Sequence, residues 1–283
     1  MTRALLVAAP HSGTGKTTFC AGLAACLRQR GIRVRCCKVG PDYLDPSWLT
    51  LASDRPCINL DLWLHGETSV RRRFQEACRD VDVCLVEGVM GLYDGLQAKE
   101  DTGSSAHVAR LLGIPVLLLA DASGCARSFA ALVHGFTSFP QAPSFCGVIA
   151  NRIGSPRHRR ILQDALDSQS ALPPLLGTLP QQGMPTLESR HLGLVSARNQ
   201  NEAQSILDAL AGIVAQHVSV DKLLSQAGDI PSSPPVLATP ITSPHCRIAL
   251  ACDEAFHFYY SGLEAALQER GCEVARYSPQ HED

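Results

Sequence analysis

The sequence predicts an α/β fold: a mostly parallel sheet with helices on both faces. Three observations predict it. Short apolar runs alternate with longer amphipathic ones along most of the chain. The short runs carry no polar alternation, the pattern of strands covered on both sides. The first of them passes through a glycine-rich loop straight into a helical segment. Composition agrees: of 283 residues, 45% are hydrophobic and 18% charged. That suits one large domain or a little more and excludes wholesale disorder.

In order, the first strand is Ala4 to Ala9, an apolar run closed by Pro10. It is a buried strand rather than a signal peptide, because it breaks at Pro10 and a glycine-rich loop. Lys16 to Arg30 follows as a helix. Ile32 to Val39, closed by Gly40-Pro41, is the second strand, and Val81 to Glu87, ending in a carboxylate, is the third. Val116 to Ala120, Phe145 to Asn151 and Leu175 to Leu179 complete the sheet. The intervening helices are Ser69 to Cys78, Ser105 to Leu112, Arg127 to Phe136 and Arg157 to Leu166, and Gln200 to His217 closes a first domain spanning 1–218. Residues 219–245 are rich in Ser and Pro and read as an extended linker, since proline removes backbone donors and fixes φ. In 246–283, Arg247 to Cys252 reads as a strand, Phe256 to Arg270 as a helix and Glu273 to Tyr277 as a strand. Such a piece is too short to enclose a core, since unaided folding is unusual below about 40 residues.

Net charge is −2, so no basic field draws the chain to nucleic acid or an anionic membrane. The runs Arg71 to Arg73 and Arg157 to Arg160 read as solvated helix faces. No stretch reaches the roughly 18 apolar residues of a membrane span. Twelve cysteines are present, mostly inside apolar runs and without a Cys-x-x-Cys pair. They read as small buried hydrophobes of a reduced, cytoplasmic protein. Cys36 and Cys37 alternate across a strand and are poorly placed to share a metal.

Pro10-His11-Ser12-Gly13-Thr14-Gly15-Lys16-Thr17-Thr18 is the strongest chemical signal. Glycines at Gly13 and Gly15 let backbone N–H groups from Ser12 to Thr18 converge on phosphate oxygens, and the helix N-terminus adds its dipole. Lys16 would reach the β- and γ-phosphates of ATP, and the Thr17 hydroxyl would ligate Mg2+. Pro10 replaces the motif's usual first glycine. His11 stands where partitioning-type ATPases carry a second lysine, which argues against that switch-like subfamily. Glu87, at a strand's C-terminal end, lies where open α/β sheets bind ligands and could complete a Mg2+ shell. Asp42 and Asp45, in Gly40-Pro41-Asp42-Tyr43-Leu44-Asp45-Pro46, suit either Mg2+ or substrate binding, or a simple turn. All these carboxylates are expected to meet Lys16 in one cleft, because loops after neighbouring parallel strands open on one edge.

Several runs together resemble the cobyrinic acid a,c-diamide synthase family. They are Val39 to Pro46, Arg55 to Trp63, Glu87-Gly88-Val89-Met90-Gly91-Leu92-Tyr93-Asp94-Gly95, Arg190 to Leu194 and Asp253 to Tyr260. The resemblance is collinear over essentially the whole chain. It implies a P-loop, dethiobiotin synthetase-like domain that uses ATP and Mg2+ to phosphorylate corrin carboxylates. It also implies a C-terminal class I-like glutaminase domain that supplies ammonia from glutamine, so that the a and c acids become amides in cobalamin biosynthesis. By the same resemblance Lys16, Asp45 and Glu87 are catalytic, and Thr17, Asp42 and Glu87 surround Mg2+. Asp42, Tyr43, Asp45, Tyr93 and Asp94 face the tetrapyrrole, and Asn151 contacts the purine or caps the next turn. The chain is expected to stop early in the glutaminase domain, before any nucleophilic cysteine, and to amidate with free ammonia only. Cys252 and Cys272 lie in apolar runs where a thiolate is disfavoured, and 247–283 is expected to be mobile or loosely docked. Leu49 and Asp54 replace a His and a Gly common in relatives. The nickel-sirohydrochlorin a,c-diamide synthases share nearly the same motifs. A non-catalytic nucleotide switch is the alternative from another class, and a homodimer is compatible with either.

Overall fold

A computed structural model of the chain describes residues 1–187, 197–231, 245–253 and 255–281. Its main sheet begins with β1 (Thr2–Ala8), followed by α1 (Lys16–Gln29), β2 (Val34–Val39), α2 (Asp45–Ser53), β3 (Ile58–Leu60) and α3 (Leu62–Ala77). Then come β4 (Val83–Glu87), α4 (Ser105–Leu112), β5 (Val116–Asp121), α5 (Ser128–Thr137), β6 (Phe145–Ile153), α6 (Pro156–Asp167) and β7 (Leu175–Pro180). Two helices and a short strand follow: α7 (Ala197–His217), α8 (Val220–Gln226) and β8 (Gly228–Ile230).

The strand order is β3-β2-β4-β1-β5-β6-β7, every neighbouring pair on this path being parallel. Both faces are covered, and alternate residues show it. Leu5 and Val7 of β1 enter the core under α1 and α7, whereas Ala4, Leu6 and Ala8 enter the core beneath α3 and α4. Cys36 and Cys37 likewise bury on opposite faces. A third cluster joins β5 and β6 to α5 and α6.

The strands and helices expected from the apolar runs are present, most with ends shifted by a few residues, but α3 starts at Leu62 rather than Ser69. Four elements were hidden. Asp45-Pro46 starts α2, proline being suited to a first helical turn, although the residues also read as a simple turn. β3 is three residues long, too short to stand out. The expected linker begins too early: Val220–Gln226 is helical, and Gly228–Ile230 pairs antiparallel with Thr2–Ala4. The proline-rich part, 232–244, and the run Arg190 to Leu194 lie outside the described residues.

Toward the C-terminus, β9 (Cys246–Ala251) and β10 (Cys272–Tyr277) form a parallel pair across α9 (Leu263–Gln268). The helix is shorter than expected, because 256–260 run irregularly across the first unit. There Tyr260 stacks on Tyr43 with centroids 5.1 Å apart and donates its hydroxyl to Asp61 at 2.8 Å. Among the described residues all twelve cysteines are free, and no helix is long and apolar enough to cross a membrane.

Candidate nucleotide and divalent-cation site

The order β2-β4-β1 places the C-terminal ends of three strands side by side. In register, Glu87 sits beside Val7 of β1 and beside Lys38 of β2. The loops that follow open on one edge and form a cleft of about 380 Å³. Its walls include Ser12, Gly13, Gly15, Lys16, Thr17, Thr18, Lys38, Asp42, Asp45 and Glu87. The expected meeting of Asp42, Asp45 and Glu87 with Lys16 is therefore present.

The phosphate loop has the required backbone. Gly13 and Gly15 adopt φ +77° and +96°, a region that glycine enters without penalty. Gly15 caps α1. Thr14 is fully buried, and its hydroxyl donates to the His11 carbonyl at 2.9 Å. Lys16 Nζ donates to the Met90 carbonyl at 2.6 Å and to the His11 carbonyl at 3.3 Å. Its pKa is lowered by burial and by the nearby Lys38 ammonium. The Asn151 amide donates to the Thr14 carbonyl at 2.7 Å, and its oxygen accepts from the Arg152 N–H. Asn151 thus braces the loop from β6, and Arg152 joins it by donating to the Gly13 carbonyl while pairing with Asp121.

The acid side is organised around a residue that motif reading missed. The Lys38 side chain is 3% exposed, and its ammonium lies 2.6 Å from both Asp45 Oδ2 and Glu87 Oε1 and 3.6 Å from Asp42 Oδ2. Burial works against this ammonium, but Glu87 and Asp45 outweigh it and raise its pKa. The Asp45 carboxyl is held below its usual range because Lys38 overcomes its desolvation. Burial pushes Asp42 and Glu87 up. Asp42 serves the turn as well, its Oδ1 accepting from the Leu44 and Asp45 N–H groups. The available signal for Lys38 was a lysine inside an apolar strand next to an acid-bearing loop.

The Thr17 hydroxyl donates to Glu87 Oε1 at 2.7 Å, while Glu87 Oε2 is buried with no hydrogen-bond partner among the described residues. Buried polar atoms are rarely left so. An orphaned carboxylate oxygen beside a hydroxyl and two further carboxylates is a hard-oxygen donor set that fits Mg2+. Among the described residues no three His, Cys, Asp or Glu side chains form a cage by themselves. Mg2+ held largely by nucleotide phosphates and water needs only one or two carboxylates.

Other expected site residues lie elsewhere. Tyr43 lines an adjoining cavity of about 390 Å³ with Asp42, Phe258 and Tyr259. Tyr93 and Asp94 line a separate depression: Tyr93 stacks on Phe136, and Asp94 accepts from the Gly91 N–H. Leu49 is fully buried, and Asp54 caps α2 at φ 54°, a left-handed conformation that glycine enters without penalty. Cys252 and Cys272 are partly exposed rather than buried, and Cys272 is pushed up first by its hydrogen bond with Cys246.

A glycine loop between β1 and α1, its lysine and threonine, and a carboxylate facing them from β4 define a P-loop nucleotide-binding domain. The chain belongs to the CobQ/CobB/MinD/ParA nucleotide-binding domain family, whose model matches residues 5–195. It is 48% identical over 281 residues to the cobyrinate a,c-diamide synthase of Syntrophotalea carbinolica, covering 99% of this chain and 61% of that one. It is 43% identical over 276 residues to the hydrogenobyrinate a,c-diamide synthase of Stutzerimonas stutzeri, covering 98% and 61%. The chain thus spans 61% of the length of these curated relatives. Among solved structures it is similar to the cobyrinic acid a,c-diamide synthase of Mycobacterium smegmatis with bound ATP analog and magnesium. That likeness has a TM-score of 0.41 and 19% identity, covering 74% of this chain and 94% of the other.

Proposed function

We propose that this chain carries the ATP- and Mg2+-dependent activating chemistry of a cobyrinate or hydrogenobyrinate a,c-diamide synthase. The observation that carries the reading is the cleft where Lys16, Thr17, Lys38, Asp42, Asp45 and Glu87 meet, in a chain 48% identical to a protein of that name.

The N–H groups of the Ser12–Thr18 loop and the start of α1 receive the phosphates of ATP. Lys16 exchanges the Met90 and His11 carbonyls for phosphate oxygens. Thr17, Asp42 and Glu87 would hold Mg2+, which supplies charge neutralisation on the transferring phosphoryl group. Asp45 holds Lys38 in the nucleotide-free cleft, and the Lys38 charge favours approach of an anionic substrate. A corrin carboxylate oxygen attacks the γ-phosphorus and ADP leaves. Ammonia, released from glutamine in the whole protein, then attacks the acyl carbon of the acyl phosphate, and phosphate departs with the C–O bonding electrons. Catalysis of this kind is mostly positioning plus electrostatics. The setting is the cytoplasm, where free thiols persist.

The test is calorimetric titration with a non-hydrolysable ATP analogue and Mg2+, beside ATP turnover with cobyrinic acid and ammonium. Lys16→Ala and Thr17→Ala are each expected to weaken binding about tenfold or more, a loss of about 1.4 kcal/mol per decade. Unchanged affinity in both variants, or turnover indifferent to the corrin acid, would overturn the reading.

A further inference from the structure

The acid cluster holds more negative charge than its hydrogen bonds explain, and one cation sits inside it. Three carboxylates, Asp42, Asp45 and Glu87, face the Lys38 ammonium at 3.6, 2.6 and 2.6 Å. Lys16, the other lysine of the cleft, is turned away onto the Met90 and His11 carbonyls. Glu87 uses one oxygen twice, for Lys38 and for Thr17, and leaves Oε2 buried without a partner among the described residues. The three carboxylates therefore converge on Lys38 Nζ, and Thr17 meets it at the shared Glu87 oxygen. A buried lysine is costly unless paired, and here every ion pair of Lys38 is with a carboxylate of this cluster.

We propose that Lys38 is the resident cation of this cluster in the nucleotide-free protein, paired with the carboxylates that would hold the divalent ion and admitting that ion only together with nucleotide phosphates. This rests on the nucleotide reading of the cleft. Without nucleotide, a divalent ion approaching Glu87 and Asp45 meets an ammonium already bonded to both. The phosphates of ATP change the balance by offering that ammonium new acceptors, so it can release the carboxylates as the metal arrives. Lys38 is thus a positioning residue that orders ligand entry, nucleotide and metal together rather than metal first. The device keeps the acid cluster from holding free divalent ions when no substrate is present.

The experiment measures Mn2+ binding by electron paramagnetic resonance, without nucleotide, to the full chain and its Lys38→Met and Lys38→Gln variants. The parent chain is expected to bind Mn2+ weakly. The variants should bind it about tenfold more tightly or better, since a like charge this close typically shifts such equilibria by one to three decades. Adding Glu87→Gln to either variant should remove the gain. Tight nucleotide-independent Mn2+ binding by the parent chain, or equal affinity in a folded Lys38 variant, overturns the proposal. If both variants unfold in chelator, millimolar Mn2+ should restore their folding, and failure to do so overturns it equally. A parallel titration of the parent chain with an ATP analogue separates the two readings. Absence of nucleotide binding there would sink the assignment of the cleft, while the Lys38 variants would still report on the resident cation.

Discussion

Asn59 is the residue on which the acid loop hangs. It lies on β3, is 2% exposed, and pairs in register with Lys38 of β2. Its side-chain amide donates to the Asp42 carbonyl at 2.8 Å and to the Gly40 carbonyl at 3.1 Å. Both acceptors belong to the turn that carries Asp42 to Asp45, and Gly40 adopts φ +82° there. Asn59→Ala removes both donors. Two hydrogen bonds contribute about 1 kcal/mol each, and leaving buried acceptors unpaired adds about 1–3 kcal/mol, reduced here because the turn is partly exposed. The expected loss is about 2–4 kcal/mol, with a weaker response to Mg2+ and an ATP analogue because the carboxylates lose their register with Lys38.

Asn59→Asp sharpens the test. It keeps the size but turns a carboxylate toward two carbonyl oxygens, so at pH 7 it should cost more than Asn59→Ala. Burial and those oxygens raise the introduced acid's folded pKa above its unfolded value. Stability then increases as pH falls through the folded pKa, and the difference between the two variants should narrow between pH 7 and pH 5. Urea unfolding at both pH values is the assay. A loss in Asn59→Ala within about 0.5 kcal/mol, the range of ordinary surface changes, would refute the assignment of Asn59 as the anchor of the turn.

Gly91→Ala would place a methyl carbon 2.6 Å from the Pro10 carbonyl oxygen. Such overpacking typically costs about 1–3 kcal/mol, and it should also weaken nucleotide binding by displacing Pro10 at the start of the phosphate loop. A thermal melt and calorimetry, both unchanged, would contradict the close approach of these two loops. Tyr260→Phe deletes the hydrogen bond to Asp61 but keeps the stack on Tyr43. It should cost about 1 kcal/mol, and Tyr260→Ala about 0.5–1.5 kcal/mol more for the lost ring contact; equal melting points for the two variants would show that the stack contributes nothing.

What the sequence made legible follows physical rules. β1, β4 and β5 are apolar on both faces, so their runs stood out without alternation, and the Gly13–Thr18 loop announced itself between strand and helix. β3 escaped because three residues carry no periodicity. Val220 to Gln226 escaped because the proline-rich composition of its neighbours dominated the window. Asp42 and Asp45 were visible as a pair, but not their dependence on Asn59, which needs the β2–β3 pairing to bring it close. Tyr93 and Asp94 entered through a motif whose run is contiguous in sequence, yet the chain turns sharply at Gly91 and carries them away from the cleft. Motif contiguity and spatial contiguity part company wherever a loop is tight.

Lys38 shows why the electrostatic part of a site is the hardest to read from sequence. A lone lysine in an apolar strand usually extends its stem and puts its ammonium in water. Here the register of β2 against β4 sets it directly beside Glu87, and the turn after β2 returns Asp45 to the same point. Asp45 lies just after β2, but Glu87 lies far along the chain, so no local pattern encodes the meeting of all three. The sheet order encodes it: only with β4 between β1 and β2 does one carboxylate face both the phosphate loop and the lysine. Glu87 then links the two halves of the cleft, through Thr17 on one side and Lys38 on the other. A change at any of the three residues reaches both the phosphate-binding side and the acid side, because they share a single carboxylate oxygen.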